Sequence, residues 1–362
     1  MSSATPATRV AGWNVKFTIG PEKNPRAFAG IYQAVGSYLV TFRDVCNELR
    51  LCFEFPNDTD SDDPWASITF ALAHRPDLDA RVRCLSFVNG DLLDHPIQSL
   101  PPTHPRQQNV IKYHLVSHKS CDLPSSEPLD SHLKKGCAQH LSNPTRRYDP
   151  RYLPPNEMSP DPTVSAKIPL WQMLKARAEG FRSGWSSPNS EENDNDMDIT
   201  NDTAGTFADS FRAACLTKAT CCAVSRQGES WCPGLPISPG IQACHIVPEI
   251  HYHLYPGSRN DGDTTIEACL RRLQEAWENT WSPDNGILLR KDLHVLFDAR
   301  LFSIHPETFR IRVFVPCDIL IEFNDKIALI HPDTDRRALQ HHYEMCCIEN
   351  MSAARPNLCH TS

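Results

Sequence analysis

In the segment NGILLRKDLHVLFD (residues 285–298), His294 follows Asn285 by nine residues and Asp298 follows His294 by four. Read as a helix at about 100° per residue, LLRKDLHVLFDA places His294 and Asp298 about 40° apart around the axis, with Leu293 and Phe297 on a neighbouring apolar stripe that fixes the helix to a core. An imidazole and a carboxylate so placed can converge on one borderline or hard divalent cation and leave positions for water and substrate oxygens. The same pair also reads as an ordinary solvated helix face. His245 lies in the apolar strand segment QACHIVP, ended by Pro248, where a charged ring costs free energy unless it has a partner or a task. An ordinary pKa of about 6.5 suits such a residue to general-base work beside a metal; a packed core histidine is the alternative reading. Asn285 opens the NGILL turn, where its amide can cap the turn or hold a histidine ring in one orientation.

These residues need elements to position them, and the C-terminal half supplies candidates. FADSFRAACLTKATCCAVS reads as a helix followed by a cysteine-containing turn, and QACHIVP as a short buried strand. TTIEACLRRLQEAWENTW reads as a helix opened by Thr264 or Thr265 and closed before SPDN, and LFSIHP and FRIRVFVP as a hairpin turning at Pro306. Upstream, residues 12–115 contain the strand-like segments WNVKFTI, LRLCFEF and RVRCLSFVNG, with FAGIYQAVGSYLVTFRDVCNELRL ambiguous between helix and strand. No chemistry-bearing motif stands out in that half. Residues 116 to about 165 are rich in Pro and Ser and read as extended or loop structure. VSAKIPLWQMLKARAEGF suits a short amphipathic helix near 165–181, and SGWSSPNSEENDNDMDITNDTAGT reads as a disordered acidic linker.

The expected organisation is therefore α+β: a β-rich or α+β domain over 12–115, linking chain over 116–206, and a second domain over 207–350. The 362 residues, 40% hydrophobic and 22% charged, suffice for two modest domains, and 30 prolines against 15 glycines agree with long connections. A formal charge of −8 excludes a protein that coats nucleic acid by bulk electrostatics, so any such contact must be local. Arg271 with Arg272, Arg290 with Lys291, and Arg310 with Arg312 are the candidate basic spots, each also readable as solvated charge. No signal-peptide core or membrane-length apolar run is visible, and 15 scattered cysteines read better as reduced thiols than as a disulfide framework. The expectation is an intracellular protein, cytoplasmic or nuclear, with no membrane partner.

Taken together, the order His245, Asn285, His294, Asp298 resembles the HNH endonuclease family and its ββα-metal finger. QACHIVP followed by NGILLRKDLHVLFDARLFSIHP is similar to the branch with an AHI-x-P, NG-x-L-L and H-x-x-F-D signature, common among fungal proteins. The resemblance covers roughly residues 212–316. It implies a C-terminal HNH domain with a helical insertion between His245 and Asn285, and a metal-dependent DNA endonuclease. By the resemblance His245 activates water for attack on a phosphodiester, Asn285 orients that histidine or braces the loop, and His294 and Asp298 are metal ligands. The expected cofactor is a divalent metal, Mg²⁺ first, with Mn²⁺, Ni²⁺ or Zn²⁺ as substitutes, and the expected partner is DNA. Many family members carry a ligand just before the base, where this chain has Cys244; a thiolate there favours Zn²⁺. A noncatalytic HNH-derived binding module, or an accessory protein of a fungal pathway, is the competing reading. Of the remaining groups, Cys215, Cys221, Cys222, Cys232, Cys346 and Cys347 read as packing, His251 and His253 as surface-loop residues, Glu249 as a weak acidic alternative, and His305 as noncatalytic.

Overall fold

The computed structural model describes residues 4–352 apart from 22–24, 57–63, 78–86, 89–92, 102–108, 125–126, 162–163, 165–200, 236 and 258–265. The fold is α+β, with two compact units that do not follow chain order. One comprises Met1–Tyr152, Val295–Ala328 and His342–Ser362, the other Leu153–His294 and Leu329–His341. The amphipathic helix expected near 165–181, most of the acidic linker, most of RVRCLSFVNG and the Thr264/Thr265 cap lie outside the described residues.

The first unit is built on a mixed sheet. Val15–Ile19 pairs antiparallel with Arg26–Ile31 and parallel with Ile111–His118, which pairs antiparallel with Ile68–His74 and, at its end, with Ala138–His140. Phe17, Ile19, Phe70, Ile111 and Leu115 bury one core, covered by the helix Phe42–Cys52. That helix resolves the ambiguous segment and corrects the strand reading of LRLCFEF. Thr41 and Asp44 form a reciprocal capping box, and Phe42, Val45, Leu49 and Cys52 bury a stripe at helical spacing, so only Phe53–Glu54 is extended. The stretch after residue 116, expected as connecting chain, also holds regular structure: the end of Ile111–His118, the helix Leu129–Lys135 and the strand Ala138–His140. The described prolines of this stretch sit in the connections, while the sheet edge beside Val116–His118 pairs with the strand Ala138–His140.

Later residues complete this unit. The hairpin Phe302–Ile304 with Ile311–Val313 forms as expected, and Phe314, Met345, Cys346, Cys347, Ile348 and Met351 join the same core. Arg312 is buried against Glu48, whose carboxylate also accepts from Tyr343 OH at 2.8 Å.

In the second unit, Ile241–His245 and Gly286–Arg290 form an antiparallel pair, with His245 opposite Gly286 and Cys244 opposite Ile287. The helix Lys291–Asp298, whose residues from Val295 onward are counted with the first unit, follows the second strand directly as one continuous element. Between the strands lie the 3₁₀ turns Glu249–Leu254 and the helix Ile266–Thr280, the expected insertion. The preceding helix, Asn201–Lys218, starts earlier than expected, within the NDTAGT end of the segment read as linker.

Candidate metal centre

Two strands and a helix position the candidate ligands. The Lys291 N–H donates to Gly240 O at 2.8 Å, tying the start of the helix to the foot of the first strand. Leu293 and Phe297 are buried, so the adjacent side carries His294 and Asp298 one turn apart. The ligand atoms of Cys244, His294 and Asp298 all lie within 4.8 Å of one another. His294 Nδ1 donates to Gln242 Oε1 at 2.9 Å, which fixes the tautomer and leaves Nε2 as the lone pair for a cation. Gln242 and Cys244 alternate by two along one strand and therefore share its face. Sequence reading passed over Gln242; the only signal was that period-two relation to Cys244.

The donors fit a metal. Cys244 is fully buried, His294 half-buried and Asp298 exposed, giving a sulfur and a nitrogen inside and an oxygen toward solvent. Such a mixed set suits a borderline ion such as Zn²⁺ better than Mg²⁺, which prefers oxygen ligands.

His245 has a different environment. Its ring stacks on Phe211 with centroids 3.9 Å apart and planes 4° from parallel, and meets Trp281 edge-on at 5.0 Å. Its Nε2 is buried with no hydrogen-bond partner among the described residues. Burial, then the neighbouring His294, pushes the ring down to about 3, so it is neutral at ordinary pH.

Asn285 is completely buried and its amide makes three bonds. Oδ1 accepts from Val247 N–H at 2.9 Å, and Nδ2 donates to Val247 O at 3.0 Å and Thr280 O at 2.9 Å. With Ile246 N–H donating to Asn285 O at 2.8 Å, Asn285 clamps the chain leaving His245 to the end of the inserted helix. Gly286 is extended, at φ −114°, so a turn does not explain it. A Cβ there would stand 2.3 Å from Cys215 Sγ and 3.0 Å from Phe211 Cζ. Glycine is what lets the helix carrying Phe211 approach His245.

Other flagged residues fall elsewhere. His251 is buried, with Nε2 2.9 Å from Glu157 O, which corrects its reading as a surface-loop residue; the short 3₁₀ segment packs it inward. His305 Nδ1 accepts from the N–H groups of Glu307 and Thr308. Cys215, Cys221 and Cys222 are buried and Cys232 is exposed. Among the basic spots, Arg290 bonds Asp292 and Gln227, Arg310 bonds Asp325, and Arg312 is buried against Glu48.

Two antiparallel strands followed directly by a helix, with candidate metal donors on the first strand and the helix, form a ββα arrangement. Residues 222–305 match the HNH endonuclease family, so this part of the chain is similar to an HNH domain. No curated protein and no solved structure matches the chain.

Proposed function

We propose that the HNH domain is a metal-dependent DNA endonuclease that hydrolyses phosphodiester bonds. The observation that carries this reading is the convergence of Cys244, His294 and Asp298 donors beside a neutral histidine. Those three residues would hold the ion, with Gln242 orienting His294. A bound divalent cation supplies charge neutralisation at a nonbridging oxygen and at the leaving 3′-oxygen. His245 takes the proton from attacking water at Nε2, which has no other hydrogen-bond partner among the described residues. Burial keeps that ring neutral, and an incoming phosphate, by favouring the imidazolium, raises its basicity when substrate is present. Asn285 holds the chain after His245 in place.

Mg²⁺ is the abundant cellular choice, while the Cys244 thiol argues for Zn²⁺ or another borderline ion such as Ni²⁺ or Mn²⁺. The described cysteines are unbridged, which supports an intracellular setting, and no described helix is long and apolar enough to cross a membrane. A noncatalytic binding module is the rival, favoured by the formal charge of −8 and by the ion pairing of Arg290 and Arg310.

Nicking of supercoiled plasmid with Mg²⁺, Mn²⁺, Ni²⁺ and Zn²⁺ tests the proposal, run beside His245→Ala and Asp298→Ala. Cleavage by the wild type and its loss in both variants is expected. Failure of the wild type to cut DNA with any of these ions defeats the nuclease reading. Cleavage by His245→Ala at the wild-type rate removes the base from His245.

A further inference from the structure

We propose that His118, Cys121, His132 and Cys137, in the first unit, form a structural zinc site separate from the HNH centre. Their four ligand atoms lie within 4.8 Å of one another. Cys121 Sγ is 3.4 Å from His118 Nε2 and 3.5 Å from His132 Nδ1, and Cys137 Sγ is 3.5 Å from the same His132 Nδ1. With Zn–S about 2.3 Å and Zn–N about 2.0–2.1 Å, the sulfur-to-nitrogen edge of a regular tetrahedron is about 3.5 Å. All three separations therefore have the size that one central ion imposes.

Hydrogen bonding alone accounts for the cluster less well. A ring nitrogen carries either one proton or one in-plane lone pair, yet His132 Nδ1 is equidistant from two thiols; Cys137 Sγ also reaches His132 O at 3.3 Å, which still leaves both sulfurs at the one nitrogen. One cation between them satisfies both sulfurs and the two ring nitrogens that face them, His118 Nε2 and His132 Nδ1.

The local fold delivers the donors in two short-range pairs. His118 ends the strand Ile111–His118 and Cys121 follows three residues further on, after an intervening pair; His132 lies in the helix Leu129–Lys135. Gly136, at φ 80°, ends that helix in the left-handed conformation and turns Cys137 back toward the sheet. The Lys119 N–H then donates to Cys137 O at 2.8 Å, and His118 pairs with Ala138. The pattern H-x₂-C-x₁₀-H-x₄-C mixes residue types within each pair, so a search for C-x-x-C passes over it.

A structural role follows from the set and its surroundings. Four protein donors fill a tetrahedral shell, with no position left for substrate. The apolar cluster beneath consists of Ala71, Val116, Leu129 and Ala138, with Leu133 packed against it. A helix of seven residues and a strand of three rest on that small core, the situation in which a bound metal contributes folding free energy.

The test is metal analysis of the full-length protein, purified under reducing conditions from zinc-supplemented cells, with Cys121→Ser, Cys137→Ser and, as the HNH-site control, His294→Ala. Loss of about one zinc per chain in both serine variants and its retention in His294→Ala is expected. Because the serine variants can misfold, the wild type carries a second readout: alkylation of Cys121 and Cys137 should be slow as purified and fast after chelation. Full zinc content in both serine variants overturns the proposal. So does alkylation of these two thiols at the same rate before and after chelation, or recovery of a Cys121–Cys137 disulfide. Absence of nuclease activity leaves these readouts unaffected, since the site does not depend on the proposed reaction.

Discussion

Gln242 Oε1 accepts the Nδ1–H of His294 at 2.9 Å, so the residue that aims the helix ligand comes from the strand that also carries Cys244. Replacing Gln242 with Ala leaves the three donors present but releases the ring. Loss of such an outer partner weakens metal affinity by about 10- to 100-fold. Competition with a chromophoric chelator measures the change, while an unchanged denaturation midpoint shows that the fold is intact. Wild-type affinity in Gln242→Ala would remove this residue from the centre.

Gly286 tests a steric claim. Gly286→Ala must move Cys215 or Phe211, because the new methyl would lie 2.3 Å from Cys215 Sγ, and overpacking of this kind costs about 1–3 kcal/mol. Gly257→Ala is the control, since among the described residues nothing lies within 4 Å of its Cβ position; a change within about 0.5 kcal/mol is expected there. Urea denaturation compares the two, and equal effects would refute the close-approach argument.

Arg312 was a candidate phosphate contact, but it is buried beside Glu48. Arg312→Ala strands that carboxylate and should cost about 3–5 kcal/mol. Denaturation measurements check this; a stable variant with weakened DNA binding would restore the nucleic-acid role.

Two buried histidines predict the acid response. Burial and then Arg300 hold His342 down to about 3, and burial and then His140 hold His114 down to about 4. Both are lowered from an ordinary value near 6.5, so on acidification the unfolded chain binds protons that the folded chain does not. Stability is full above about pH 6.5 and falls, by up to about 1.4 kcal/mol per pH unit for each ring, down to their folded pKa values. Urea midpoints at pH 7 and pH 5 should show the loss, and His342→Gln should make it shallower. Stability that is flat or rising toward pH 5 contradicts the assignment.

The finger was legible in sequence because its signals are local. His294 and Asp298 are one helical turn apart, Leu293 and Phe297 mark the buried side, and the alternating segments around Pro306 announce a hairpin. Gln242 was not legible, since its role depends on which strand position faces the following helix. The reason for Gly286 was hidden too: Asn-Gly suggests a turn, whereas the contact that excludes a side chain comes from Phe211 and Cys215. Arg312 looked like surface charge because its partner, Glu48, is 264 positions away. The helix Phe42–Cys52 was missed at its C-terminal end because Leu49, Leu51, Phe53 and Phe55 also alternate like a strand, and the capping box at Thr41 lies eight residues before Leu49.

The core of the first unit has a consequence for synthesis. Its strands emerge from the ribosome early, but Phe314, Met345, Cys346, Cys347, Ile348 and Met351, which bury the same apolar surface, come late. Trp13 Nε1 likewise waits for Asn350 O, its acceptor at 2.9 Å. Contacts of such sequence separation delay folding, so the core against the nascent sheet stays incomplete until translation has passed residue 351. A ribosome stalled before that point would hold a chain with an open core, a natural client for chaperones that bind exposed apolar strands.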